Sequence, residues 1–296
     1  MNNRVIPVGP WHSVLGEGPI WSADLQAIFW VDIVSGVIHK YHPPSYEYSF
    51  REMGEMVGAI VFSDDGRIVT ALRSGFAFLD WATGKLEPIT DPEAHLPDNR
   101  FNDGKCDPAG RFWAGTMHVN EIPDSGNLYR MGSDLKAALV IPGVTVSNGL
   151  AWHTEGHTMY YIDSPTRKVM AYAFNMETGD LSHPIEIIRF LDSDGYPDGM
   201  TIDAENKLWI AHWGGWQVSR WDPETGKKLF RLDLPVEKVT SCVFGGPRLQ
   251  DLYMTTASIG LPEDGRQPLA GQLFVWRESG FEGVKANVFK FPKFIV

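Results

Sequence analysis

Cysteine is scarce in this chain. Its 296 residues hold two, Cys106 and Cys242, which stand 136 positions apart and in no Cys-x-x-Cys pair. That excludes a disulfide framework and fits two reduced thiols. Positive charge is in deficit: 26 Lys and Arg against 37 Asp and Glu leave a net charge of −11. Nucleic acid and anionic membrane are not expected partners, because bulk charge would repel both. No stretch approaches the roughly 18 apolar residues of a membrane span. The opening residues Met1-Asn2-Asn3-Arg4-Val5-Ile6-Pro7 lack the apolar core of a signal peptide. A cytoplasmic location is the expectation.

Several chemistries are missing as well. There is no Gly-x-Ser-x-Gly elbow, no His-Glu-x-x-His and no Gly-x-x-x-x-Gly-Lys-Ser/Thr. The nine histidines show no ligand spacing. Long linkers are absent: the longest irregular stretches, Asp91 to Asn99 and His118 to Gly126, are too short to separate domains. Residues 1–296 are therefore expected to form one domain. No long run has a helical period.

What the chain does have is a succession of short β-type runs. Ala27 to Ile33, Val37 to Tyr41, Tyr46 to Met53 and Ala59 to Phe62 are followed by Arg67 to Leu72, Gly75 to Asp80 and Lys85 to Ile89. Turn residues separate them, which means a sandwich, a barrel or a propeller. A repeat decides among these. Thr-Gly turns recur at Gly84, Gly179 and Gly226, 95 and then 47 positions apart, or two periods and one. The aromatic strand ends Trp30, Trp113, Tyr161, Trp209 and Tyr253 keep the same beat. A period of 40 to 50 with four strands per repeat is the signature of propeller blades. Six units begin near Glu17, Gly58, Asp103, Asn148, Asp198 and Ser241. The fold expected is an all-β, six-bladed β-propeller with four antiparallel strands per blade. Either Val5 to Val8 or Ala286 to Phe291 must complete the sixth blade. Closing the ring with terminal strands removes open sheet edges.

The same repeat carries polar residues. Glu17-Gly18, Asp103-Gly104, Asn148-Gly149 and Asp198-Gly199 each open an apolar run. Asn148 follows Asp103 by 45 positions and Asp198 follows Asn148 by 50. At one phase of a rotational repeat, such residues meet at the axis. Glu17, Asn148 and Asp198 would then stand on one rim of the channel, with Asn102 and Asp103 beside them. The glycines would let the backbone turn tightly. Carboxylates plus an amide carbonyl, with no Cys or His in phase, form a hard-oxygen set that suits Ca²⁺, Mg²⁺ or Mn²⁺ better than zinc. An Asp-Gly or Asn-Gly pair taken singly is more often a turn. Asp65-Gly66 and Asp264-Gly265 are read as turns only. Their common phase is what sets Glu17, Asn148 and Asp198 apart. Arg100, two residues before Asn102, is placed to hold an anion or hydroxyl groups. His118 ends a strand that runs towards the same rim.

These residues resemble a known family. Leu15-Gly16-Glu17-Gly18-Pro19-Ile20-Trp21, Arg100-Phe101-Asn102-Asp103-Gly104-Lys105, Phe112-Trp113-Ala114-Gly115-Thr116-Met117, Ser147-Asn148-Gly149-Leu150 and Pro197-Asp198-Gly199 are similar, in order, to motifs of the gluconolactonase/regucalcin family. The resemblance implies a six-bladed propeller and one divalent metal ion bound by Glu17, Asn148 and Asp198. Ca²⁺, Mg²⁺, Mn²⁺, Zn²⁺ and Fe²⁺ are all candidates. It implies that Arg100 and Asn102 hold a small-molecule sugar lactone, which is hydrolysed to the aldonic acid. Where some relatives place a glutamate after the Gly-Thr-Met motif, this chain reads His118-Val119-Asn120-Glu121. Counting from Met117 favours Asn120 as the matching position, with Glu121 next to it.

The expected mechanism is metal-assisted lactone hydrolysis with Asp198 as general base. His118 to Gly126 is a candidate lid with Gly126 as its flexible end. A calcium-binding protein without enzymatic role is the alternative, as is a propeller hydrolase for other esters or organophosphates.

Overall fold

The computed structural model describes residues 4–262 and 265–291. Six four-stranded antiparallel sheets make up the fold, each a blade of a β-propeller. The innermost strands are Gly16–Ser22, Val57–Phe62, Asn99–Cys106, Ser147–Trp152, Tyr196–Ile202 and Val239–Gly245. Blade five shows the pattern in full: Tyr196–Ile202, Leu208–Trp213, Gln217–Asp222 and Lys227–Asp233. Among the described residues the helical turns are two short 3-10 pieces, Ser164–Thr166 and Asp192–Asp194. No helix there is long and apolar enough to cross a membrane.

Of the two candidate closing strands, the N-terminal one completes the ring. Ile6–Pro7 pairs with Phe274–Trp276, Ile6 opposite Val275, and so becomes the outer strand of the sixth blade. Residues 283–291 do something else. Gly283 bridges to Asp203 on blade five, and Phe289 bridges to Ser63 on blade two. Phe289 is fully buried there. The segment between them crosses the channel mouth opposite the rim. Gly66, at φ +86°, makes the tight turn expected of Asp65-Gly66; Asp264 lies outside the described residues.

Between the blades sit the periodic aromatics. Trp30, Trp113, Trp209 and Tyr253 are at most 2% exposed. Two of them also tie the blade together through an aspartate. The indole N–H of Trp113 donates to Asp107, and that of Trp209 to Asp203, each at 2.9 Å. The other oxygen of each aspartate accepts backbone N–H groups of its own turn, from Ala109 and Arg111 and from Glu205 and Lys207. One buried carboxylate thus closes a turn and satisfies the indole, which otherwise would lose its partner on burial.

In every blade the pairing of the innermost strand with the second slips once. The slips fall at Glu17/Ile20, Val57/Ala59, Phe101/Gly104, Ser147/Leu150, Pro197/Met200 and Val239/Ser241. A bulge bends the strand and re-aims side chains. It releases Asn102-Asp103, Asn148-Gly149 and Asp198-Gly199 from the ladder, and Glu17 borders the first slip. The polar residues therefore keep one phase because the bulge does. The glycines divide between the expected end and another. Gly18 has a positive φ of +48°, but at Gly149 and Gly199 the reason is crowding. A Cβ on Gly149 would lie 2.7 Å from Asp198 O, and one on Gly199 would lie 2.1 Å from Ser241 Oγ. Each lets the next innermost strand approach.

Candidate metal and substrate site

A cavity of about 760 Å³ opens at one end of the axis. Glu17, Asn148 and Asp198, from blades one, four and five, line it together with Arg100 and Asn102 from blade three. All five side chains are buried, Arg100 being 9% exposed.

Hydrogen bonds fix how the oxygens face. Asn148 Nδ2 donates to Ser164 Oγ at 3.0 Å, and Ser164 Oγ donates to Pro197 O at 2.7 Å. The amide is thereby held with Oδ1 turned the other way. Asn148 Oδ1 and Asp198 Oδ1 are both buried and accept no hydrogen bond among the described residues. Glu17 Oε2 accepts a local bond, from Gly18 N at 3.0 Å. Burial pushes the Glu17 carboxyl up to about 8, and the nearby Asp103 adds to the effect. Burial likewise raises Asp198 well above the usual carboxylate range, reinforced by Glu17 and Asp103.

An orphaned amide oxygen beside two buried carboxyls, one of them with an orphaned oxygen of its own, is what a cation would relieve. The donor set is all oxygen, as a hard divalent ion prefers. Among the described residues no three His, Cys, Asp or Glu side chains are arranged as a metal cluster. The set depends on an amide as its third member. On these grounds the residues fit a divalent cation.

Arg100 is oriented by its neighbours. Its Nη1 donates to Phe101 O at 3.0 Å and to Asn102 Oδ1 at 2.8 Å. Asn102 in turn donates to Ser147 O at 2.8 Å. Burial lowers the guanidinium to about 10, opposed by Glu17, Glu121 and Asp198, so it stays cationic at neutral pH.

Several expectations about position change here. Asp103 does not join Asn102 at the rim. It lines a smaller chamber of about 90 Å³ beneath, with Lys105, Cys106, Thr201 and Ser241, bordered by residues 284–287. Lys105 Nζ donates there to Met200 O at 2.6 Å. The bulge between Phe101 and Gly104 re-aims the two side chains, so that Asn102 faces the cavity and Asp103 the chamber. On the wall above the rim, Glu121 lines the cavity; His118 and Asn120 do not stand among its lining residues. His118 Nδ1 instead accepts a hydrogen bond from Asn120 N at 3.1 Å. Glu121 takes a left-handed φ of +52°, which swings it out of the simple count from Met117. Gly126 is no free hinge: it is buried in a strand, and a Cβ there would lie 2.2 Å from Thr116 O.

Other wall residues had no sequence signal. Ser164, Tyr196, Trp213 and Lys238 line the cavity. Only the ring closes them around the same space.

The family described as SMP-30/Gluconolactonase/LRE-like region matches residues 15–258. The chain belongs to this family of β-propeller proteins. It is 38% identical over 264 residues to a Bacillus subtilis protein named "Putative sugar lactone lactonase YvrE", covering 88% of this chain and 90% of that one. It is 36% identical over 282 residues to regucalcin of Xenopus laevis, covering 93% and 94%. The crystal structure of a calcium-binding protein, regucalcin, from Agrobacterium tumefaciens superposes with a TM-score of 0.91 at 26% identity, covering 96% of each chain.

Proposed function

We propose that the protein is a lactonase that opens sugar lactones to aldonic acids with the help of one divalent metal ion. The observation that carries this reading is the pair of unpartnered oxygens, Asn148 Oδ1 and Asp198 Oδ1, beside Glu17 on the floor of an open cavity. The name of the Bacillus subtilis relative supports the reaction class, and the calcium-binding description of the Agrobacterium protein supports a divalent ion. Held by Glu17, Asn148 and Asp198, the ion would supply Lewis acidity towards the lactone carbonyl.

The chain's own residues do the remainder. Arg100, fixed by Asn102, orients the lactone ring from one side of the floor. Glu121, on the wall, accepts hydrogen bonds from the lactone's hydroxyl groups. Asp198 takes the proton of the attacking water. The water oxygen bonds to the carbonyl carbon, the ring C–O bond breaks, and the proton passes to the departing ring oxygen as it becomes a hydroxyl. Burial of Arg100, Asn102 and Asp198 keeps bulk water from screening them, while Glu121 is exposed.

The test is acid release from a panel of pentono- and hexonolactones, with metal-stripped protein and then with Ca²⁺, Mg²⁺, Mn²⁺, Zn²⁺ and Fe²⁺ added singly. Metal-dependent turnover above the spontaneous rate is expected. Tight calcium binding without turnover of any lactone would overturn the reading in favour of a binding protein.

A further inference from the structure

The cavity is larger and greasier than a single sugar ring requires. At about 760 Å³ it falls in the range that buries drug-sized ligands, roughly 300–1,000 Å³. Five of its polar groups, Glu17, Arg100, Asn102, Asn148 and Asp198, gather on the floor. The wall above offers Val34, Met56, Met117, Val119, Pro123 and Ile259. A monosaccharide lactone carries hydroxyls on most carbons, and these apolar side chains give them no partner; on the wall Glu121, Thr145 and Lys238 are what is left to do so.

Two aromatics stand in this upper region. Tyr196 and Trp213 are direct cross-strand partners at the end of blade five, and both line the cavity. Tyr196 is 41% exposed, unusual for a ring two residues from a buried carboxylate. It is nevertheless held. The Arg167 guanidinium lies 3.8 Å from its ring centroid. That guanidinium is itself pinned, by Gly195 O at 2.7 Å and Asp192 at 3.3 Å. Arg167 backs the ring, and the exposed face is left to the cavity. Trp213 is steadied in the same way by Lys238, whose Nζ sits 4.7 Å from the ring and donates to Ile259 O at 2.6 Å. Arg167 also ends the Ser164–Thr166 turn at a φ of +56°, so the turn that orients Asn148 through Ser164 also places the backing of Tyr196.

We propose that Tyr196 and Trp213 form a stacking platform for a flat apolar substituent carried by the lactone, and so set substrate specificity. The lactone head rests on the reading above; the substituent goes beyond it. A rigid aromatic face beside an apolar wall favours another ring over a hydroxylated chain. Tyr196 lies on the same strand as Asp198 and Trp213 on the strand paired with it, so a substituent stacked there is in reach of a head on the floor.

The experiment compares δ-valerolactone with the same lactone bearing a phenethyl side chain, in wild type, Tyr196→Ala and Tyr196→Phe. Wild type should prefer the phenethyl lactone by kcat/KM. Tyr196→Ala should lose that preference about tenfold, through KM, and Tyr196→Phe should keep it. A wild type without the preference, or a Tyr196→Ala that retains it, would overturn the platform while leaving lactonase activity intact. Calorimetric binding of the ring-opened phenethyl hydroxy acid needs no turnover. If neither lactone is hydrolysed, the lactonase reading fails, and the platform stands or falls on whether Tyr196→Ala weakens that binding. Stronger preference for a lactone bearing a second sugar ring than for the phenethyl one would overturn the apolar assignment.

Discussion

Asn148 Nδ2 donates to Ser164 Oγ at 3.0 Å, and this one bond decides which atom of the amide faces the cavity. With Ser164→Ala the amide loses its anchor and is free to flip. Cation affinity should fall about tenfold or more, as when outer-shell partners of metal ligands are removed. Isothermal titration with calcium or manganese checks this. Unchanged affinity would show that Asn148 Oδ1 is held by something else.

Asp198 is assigned the proton of the attacking water. Asp198→Asn keeps the shape and removes the base, so kcat on the best lactone should drop about a hundredfold or more with saturating metal. Full activity in this variant would remove Asp198 from the mechanism.

The metal-stripped protein should lose stability as pH rises. Burial, with Asp103 adding to it, moves Glu17 from its ordinary 4.5 to about 8 in the folded chain. Between those values the folded protein holds a proton that the unfolded chain has released. This contribution is complete below about 4.5 and is lost as pH rises through about 8. Asp198, raised chiefly by burial, acts in the same direction. The buried His39 and His212, both lowered by burial from 6.5 to about 4, act in the opposite sense, but only below about 6.5. From pH 6.5 to 8 the Tm of chelated protein should therefore fall, and Glu17→Gln should flatten the slope. A Tm that climbs over that range would contradict the burial argument.

Glu93 anchors the strand that carries Arg100. Its carboxylate accepts hydrogen bonds from Thr116 Oγ1, Asn127 Nδ2, Tyr129 OH and Asn99 Nδ2, at 2.6 to 3.1 Å. Glu93→Ala leaves these donors without their shared acceptor and should cost about 3 kcal/mol. Urea denaturation reads the loss. Because Asn99 precedes Arg100, KM for the lactone should rise as well. A neutral effect on both would show that water replaces the carboxylate.

Much of the architecture was legible in the chain. Short runs, turn dipeptides and the beat of Trp30, Trp113, Tyr161, Trp209 and Tyr253 express local propensity repeated six times. Repetition makes a weak local signal strong. The phase of Glu17, Asn148 and Asp198 was legible for the same reason, since it follows a bulge that recurs in every blade.

What only the tertiary structure decided concerns direction and closure. Whether Asn102 or Asp103 faces the cavity depends on how one bulge rotates the strand. Glu121 reaches the wall, and Asn120 does not, because of a single left-handed residue. The choice of Ile6–Pro7 over the C-terminal segment as the closing strand pairs residues at opposite ends of the chain. Ser164 beneath Asn148 and Trp213 beside Tyr196 are contacts between segments that carry no mark of each other. A sequence states what each stretch prefers; which face it presents, and to what, follows from the ring that all six blades close together.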